Sequence, residues 1–210
     1  MSIRENIRSL WQKLLITCLG ATVLFLPGTF FAQENQSRSE MRYYPLAVGN
    51  TWHYSVIPKG KDSITSWRVV NKTSTASGTV FAVWPSPVEA DDEGMQLQIT
   101  TNGLLELSAN FYVLQFPIKK GDNWKLKEHE RLFSVLSEGD PCTVGKFSFH
   151  KCAVVQDDDM EANLRTVTTY AYDVGPVSYE YYKWVSGSFE RQPSQTLKIV
   201  SYSLKSSRGR

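Results

Sequence analysis

Turn residues punctuate this chain too often for a long helix to run. From Thr51 onward, clusters of Gly, Pro, Asn, Asp and Ser recur at intervals of roughly eight to twelve residues. The runs between them are rich in Val, Ile, Thr, Tyr, Phe and Trp, the residues that fit a pleated, half-buried surface. No window after residue 32 sustains the apolar period of an amphipathic helix. The spacing predicts strands over 51–57, 64–70, 79–84, 96–101, 104–107, 111–116, 124–127, 131–136, 147–155, 164–172, 176–184 and 196–204, with 143–144 the short arm of a hairpin onto 147–155. Thr101-Asn102-Gly103 is the strongest hairpin signal among the turns. A short helix near 159–163 is the one expected interruption. The expectation is an all-β fold of roughly ten to twelve short strands in a single antiparallel sheet domain: a barrel, half-barrel or sandwich.

One turn is written twice. Tyr44-Pro45-Leu46 followed by Gly49-Asn50, Trp52 and Tyr54 returns 72 residues on as Phe116-Pro117-Ile118 with Gly121-Asp122, Trp124 and Leu126. Proline fixes its own φ and pushes the preceding residue into an extended conformation. Gly-Asn and Gly-Asp then supply the backbone freedom of a tight turn. Trp52 and Tyr54, two apart on a strand, face the same way. Both copies therefore read as an extended lead-in, a turn and a core strand, with Trp52 and Trp124 inside. Duplication and convergent use of common turn residues explain the repeat equally well.

The start of the chain has a different composition. Arg4, Arg8 and Lys13 precede an uncharged apolar run over 14–26, then Pro27-Gly28, then the small residue Ala32. This is the layout of a secretory signal peptide. The expected organisation is a signal peptide over 1–32, a disordered polar lead-in over 33–42, a β domain over 43–204 and a basic flexible tail over 205–210. A lipid attached at Cys18, or an uncleaved anchor, are the alternatives, and either would be the only tie to a membrane. Cleavage removes three bases and one acid from totals of 23 and 21, leaving 20 of each. A neutral chain with no basic face excludes the electrostatic footprint of a nucleic-acid binder.

Export also frames the cysteines. Cys18 leaves with the leader, so Cys142 and Cys152 remain as an even pair, which points to a disulfide. A two-residue hairpin at Gly145-Lys146 would set Cys142 opposite Phe149, so a bulge or longer loop is needed to bring Cys152 within reach. Two buried free thiols are the alternative.

The chain resembles a loose group of uncharacterised bacterial secreted or lipoprotein-type β proteins. The resemblance rests on Tyr44-Pro45-Leu46 with Val48-Gly49-Asn50-Thr51-Trp52 and Tyr54, and on Phe116-Pro117-Ile118 with Gly121-Asp122 and Trp124. Val144-Gly145-Lys146-Phe147 with Cys152, and Tyr170-Ala171 with Val174-Gly175-Pro176-Val177, continue it in the same order. It implies a β fold and a secreted, periplasmic or cell-envelope location, and it implies no activity.

Candidate chemistry is sparse. His53 sits between Trp52 and Tyr54, so its ring points away from the face they share. His129 lies in the polar cluster Lys127-Glu128-His129-Glu130, and His150 follows Phe149. None has the neighbours of a triad or a zinc site, and there is no Gly-x-Ser-x-Gly elbow. Asp157-Asp158-Asp159 with Glu161, and Asp91-Asp92-Glu93, offer hard oxygen ligands but lack the spacing of a calcium loop; both read as solvated turns. No metal or cofactor is implied.

The aromatics of 177–184 give the sharper signal. Tyr179 and Tyr181 share one face of a strand, and Tyr182 and Trp184 share the other. Such a strand is buried on both sides, lines a cavity, or carries an exposed apolar surface. The expectation is a non-enzymatic binding or envelope-associated module using Tyr179, Tyr181, Tyr182 and Trp184, its partner an envelope protein or an apolar ligand. A carrier of an apolar ligand in a β cavity and a hydrolase without a recognisable motif are the alternatives.

Overall fold

The computed structural model describes residues 39–57, 63–86, 94–126 and 130–205. The expected signal peptide, most of the lead-in, the acidic run Asp91-Asp92-Glu93, His129 and the tail beyond Lys205 lie outside the described residues.

The chain forms two successive antiparallel meanders of six strands each. The first holds β1 (Thr51–Ile57), β2 (Ile64–Thr75), β3 (Gly78–Ser86), β4 (Met95–Thr100), β5 (Gly103–Glu106) and β6 (Phe111–Gln115). The second starts with β7 (Asn123–Leu126) and β8 (Arg131–Glu138). It then detours through a separate hairpin, β9 (Cys142–Val144) and β10 (Phe147–Phe149). It returns as β11 (Cys152–Asp159), β12 (Leu164–Ala171) and β13 (Gly175–Val185), makes the short β14 (Ser188–Phe189) against β13, and closes with β15 (Gln195–Ser203). Strand order in the main sheet is β6-β5-β4-β3-β2-β1-β15-β13-β12-β11-β8-β7.

This is the all-β class expected, with fifteen strands among the described residues rather than ten to twelve. The run expected as one strand over 147–155 bends at His150 and Lys151 into two, and the two-residue β14 is too short for any periodicity to reveal. The helix expected near 159–163 is a turn: Asp159 Oδ1 accepts from the Ala162 N–H at 2.9 Å, and Asn163 takes φ 52. Asx side chains cap turns in this way and tolerate positive φ.

The two copies of the turn motif open the two meanders, and their backbones make the same bonds. Gly49 N–H donates to Val69 O at 2.8 Å, and Val69 N–H to Asn50 O at 2.9 Å. In the second copy Gly121 N–H donates to Val135 O and Val135 N–H to Asp122 O, both at 2.9 Å. The turn bond is shared too: Asn50 N–H to Ala47 O, and Asp122 N–H to Lys119 O. Each copy therefore seats the first strand of a meander on the second, which is why the sequence repeats there.

The meanders join at two places. At one, β1 pairs with β15 along its whole length. At the other, no strand pairing joins β6 to β7 among the described residues. Side chains bridge that seam: Trp124 stacks on Phe133 with centroids 5.2 Å apart, Phe111 stacks on the same ring at 5.4 Å, and the Trp124 indole N–H donates to Tyr112 O at 2.9 Å. The sheet is thus a barrel of twelve strands closed by hydrogen bonds everywhere but one seam.

One end of the barrel is plugged. The 3₁₀ turn Met41–Tyr43 packs Tyr43 and Tyr44 into it, and Trp52 and Tyr54 fill the layer beneath, all four essentially buried. Trp52 N–H reaches Val174 O at 2.6 Å and Tyr54 O–H reaches Pro176 O at 2.8 Å, so β1 is tied to the start of β13 past the intervening β15. Gly175 (φ +105) lies so close that a Cβ there would stand 2.9 Å from the Trp52 indole nitrogen. The lead-in is ordered where it meets this end: Arg42 forms a bidentate pair with Asp173, and Glu40 accepts from the Ile118 N–H.

The β9–β10 hairpin folds over the same region, Phe147 meeting Tyr202 at 6.1 Å. Cys142 pairs with Phe149 in the hairpin register, and the bend at His150-Lys151 supplies the extra chain that carries Cys152 back to it. Cys142 and Cys152 are bonded, with Cα atoms 6.0 Å apart, inside the ordinary range for a disulfide.

Candidate functional site

Strand register fixes which side chains enter the barrel. Thr168 pairs with Tyr179, Thr166 with Tyr181 and Leu164 with Lys183; Tyr179 pairs in turn with Leu197, and Tyr181 with Gln195. On the other side Val155, Asp157 and Asp159 lie opposite Val135, Phe133 and Arg131. The alternation that buries Tyr54 and Leu197 therefore places Tyr179 and Tyr181 inside and Tyr182 and Trp184 outside.

The inner rings form a file from the plugged end outward. Tyr44 meets Trp52 edge-on at 5.6 Å and Tyr170 at 6.1 Å. Tyr54 meets Tyr179 edge-on at 5.6 Å, and Tyr179 stacks with Tyr181 at 6.5 Å. Edge-on and offset contacts are those the ring quadrupole favours. Burial pushes the hydroxyl pKa values of Tyr44, Tyr54, Tyr170, Tyr179 and Tyr181 upward, so these phenols are neutral donors at physiological pH. Among the described residues the buried hydroxyls of Tyr43 and Tyr44 have no hydrogen-bond partner.

Tyr179 is half-buried on the inner face, between the rings of Tyr54 and Tyr181. Eight strands leave an interior that side chains just fill, and a ring of about twelve is wider. At the ends of β12 and β13 away from the plug lies a cavity of about 670 Å³, lined by Leu164, Tyr181, Lys183, Ser194 and Gln195.

The acidic run expected to be a solvated turn instead ends strand β11. Asp157 and Arg131 form a bidentate pair at 2.8 and 2.6 Å, with Asp159 3.6 Å from the same guanidinium. Asp158, facing outward, is held by Arg165. Burial nevertheless raises the Asp157 pKa, outweighing the lowering by Arg131. Arg131 also lies 4.2 Å from the Phe111 ring centroid and so reaches across the β6–β7 seam.

On the outer face of β13, Tyr182 O–H donates to Glu180, and Trp184 packs edge-on against Phe189 at 4.8 Å with Arg165 over the Phe189 ring. Of the histidines, His53 is half-buried between inward neighbours, and His150 is exposed beside Tyr172. Neither belongs to the inner file. The sequence reading missed Tyr44, Tyr54 and Tyr170 as partners of Tyr179. The alternation Leu164, Thr166, Thr168, Tyr170 was there to be read, but nothing in it says that β12 lies beside β13 with these faces matched.

These features define an all-β barrel, filled by aromatic side chains at one end, with a file of tyrosines along its inner face. Comparison with family models gives no match, and comparison with curated proteins gives none either. Among solved structures, a Bacteroides fragilis protein described as exported, with a YmcC-like fold, aligns over 75% of this chain and 97% of its own, at 11% identity and TM-score 0.42. A Parabacteroides distasonis protein described as a lipoprotein aligns over 77% and 98%, at 11% identity and TM-score 0.40. Scores this low carry no argument about fold or function.

Proposed function

We propose that this chain is an exported, non-enzymatic binding module that carries a small ligand with an apolar body inside the barrel. The ligand lies against Tyr181 and Tyr179, and a hydrogen-bonding group on it meets the hydroxyls at the inner end of the file. The carrying observation is the cavity of about 670 Å³ that Tyr181 lines, with the Tyr179 and Tyr54 rings packed in file behind it. Buried hydroxyls are nearly always partnered, so the orphan on Tyr44 supports a ligand with a polar group rather than a pure hydrocarbon. Export rests on the leader sequence and on the bonded cysteine pair, which suits an oxidising compartment.

The test is titration with N-phenyl-1-naphthylamine, a neutral fluorophore that brightens in apolar surroundings. Saturable binding at one site per chain is expected. Tyr181→Ala should weaken it about tenfold, the scale of one large apolar contact. A second reading places a protein partner on the outer face, at Trp184 and Phe189, where Val185 is exposed beside them. Binding that Trp184→Ala abolishes and Tyr181→Ala leaves alone would favour that reading.

A further inference from the structure

The cavity that Tyr181 lines also holds a charge. Strand register sets the inner side chains in rows across the sheet. One row runs Phe133, Asp157, Thr166, Tyr181 and Gln195. The next row, at the edge away from the plug, runs Arg131, Asp159, Leu164 and Lys183. Lys183 thus shares a strand face with Tyr179 and Tyr181, and it lines the cavity beside Tyr181 and Leu164.

The two cations of this edge differ in what they face. Arg131 meets two carboxylates, Asp157 at 2.8 and 2.6 Å and Asp159 at 3.6 Å. The Lys183 ammonium is in no ion pair among the described residues. Asp159 stands two strands away along the row, about 10 Å at the usual strand spacing, and it faces Arg131. Glu190, just past β14, accepts instead from the Lys183 backbone N–H at 3.1 Å. The Ser194 hydroxyl donates to Tyr181 O at 3.0 Å. Gln195 pairs with Tyr181, so it lies diagonal to Lys183, a separation that long side chains span. Its amide is a second donor to the same space.

An ammonium with a neutral donor beside it, over a wall made by Leu164 and Tyr181, matches a head group with one negative charge. A doubly charged head would need a second cation, and Arg131 is already neutralised by its aspartates. We propose that the ligand of this cavity is an anionic amphiphile whose carboxylate pairs with Lys183 and whose apolar body lies on Leu164 and Tyr181. The proposal rests on the reading of the barrel as a ligand carrier. It adds a charge at the outer end of the ligand, opposite the group that meets the inner hydroxyls.

Displacement of bound N-phenyl-1-naphthylamine by dodecanoate and by dodecan-1-ol tests this, because the two share a chain and differ in charge. The quantity read is the ratio of their dissociation constants, alcohol over carboxylate. In Lys183→Met the ratio should fall about threefold to fivefold, the scale of an ion pair open to water. Lys183→Arg should keep the wild-type ratio. Lys198→Met removes an exposed charge between the buried Leu197 and Ile199 of β15, hence from the outer face, and should also keep it. Added salt should lower the ratio in the wild type and not in Lys183→Met. The same ratio in the wild type and Lys183→Met overturns the anionic head and leaves the carrier reading standing, as does failure of dodecanoate to displace the probe. An equal fall in Lys198→Met also overturns it, because the charge would then act through the field of the whole surface. A wild type that does not bind the probe overturns the carrier reading and this one with it.

Discussion

At the scale of single residues, the inner tyrosines carry the strongest physical signature. Burial raises the pKa values of Tyr44, Tyr54, Tyr170, Tyr179 and Tyr181, with desolvation the largest cause for each. The unfolded chain gives up the same protons near pH 10, the ordinary phenol value. The folded state therefore binds more protons than the unfolded one above that pH. By linkage, the stability these neutral rings contribute is complete below pH about 10 and declines as pH rises beyond it. In an alkaline titration, phenolate absorbance from the inner rings should appear together with the loss of near-ultraviolet circular dichroism. Their ionisation while that signal stays native would show rings open to solvent. Residue-level reading of the sequence went part of the way here. Alternation told Tyr179 and Tyr181 from Tyr182 and Trp184, because period two is a local property. Which pair faced inward depended on Leu197 and Thr168 across the sheet, and no local pattern reports that. Trp52 and Trp124 read alike for the same reason, and only the unequal joints around them make one buried and the other half-exposed.

At the scale of elements, the cysteine hairpin shows how a correct local rule met its limit. Hairpin register set Cys142 against Phe149, as the Gly145-Lys146 turn required. The bond to Cys152 became reachable because the chain bends at two residues that carry no turn signature, His150 and Lys151. Glycine and proline announce turns; a bend imposed by a disulfide does not need them. The bond joins positions ten residues apart and holds β9–β10, a two-stranded sheet that, among the described residues, pairs with no strand of the barrel. A lone two-stranded hairpin is marginal in water. Closing a loop of this size is worth roughly 2–3 kcal/mol through the unfolded chain. Replacing both cysteines with serine should lower the free energy of unfolding in urea by about that amount. The main sheet should keep its far-ultraviolet signal, since its ladders do not run through the hairpin. An unchanged urea midpoint would mean that packing of Phe147 and Phe149 already holds the hairpin without the bond. The acidic run is the element most altered by context. Asp157 and Asp159 looked like loop residues by composition, and Arg131 on the neighbouring strand makes them strand residues by pairing.

At the scale of the whole molecule, the repeated turn bonds mark two six-stranded units that follow one another in the chain and close on each other in space. Composition and turn spacing made the class legible, since they determine that strands form and roughly how long they are. Closure was not legible, because it depends on pairings between the first and last strands of each unit. The unequal joints make a prediction about chain connectivity. At the stronger joint Lys205 is hydrogen-bonded to Asn50, and Asn50 to Pro45. A flexible linker from Lys205 to Tyr43 closes a loop there, at an entropy cost that grows only slowly with its length. New termini cut in the turn between Pro117 and Lys120 fall at the weaker joint, where no ladder is severed. What is lost there is one ordered turn and the burial of Ile118. The permuted protein should fold to the same far-ultraviolet spectrum, with unfolding free energy lower by roughly 2–4 kcal/mol, the range for losing one buried aliphatic contact. Cutting instead in the turn before β1 and joining nothing should cost more, since Gly49 and Asn50 hold both β2 and the end of β15. If the permutant fails to fold, the second copy of the turn is needed to start the second meander, and the two units are not independent.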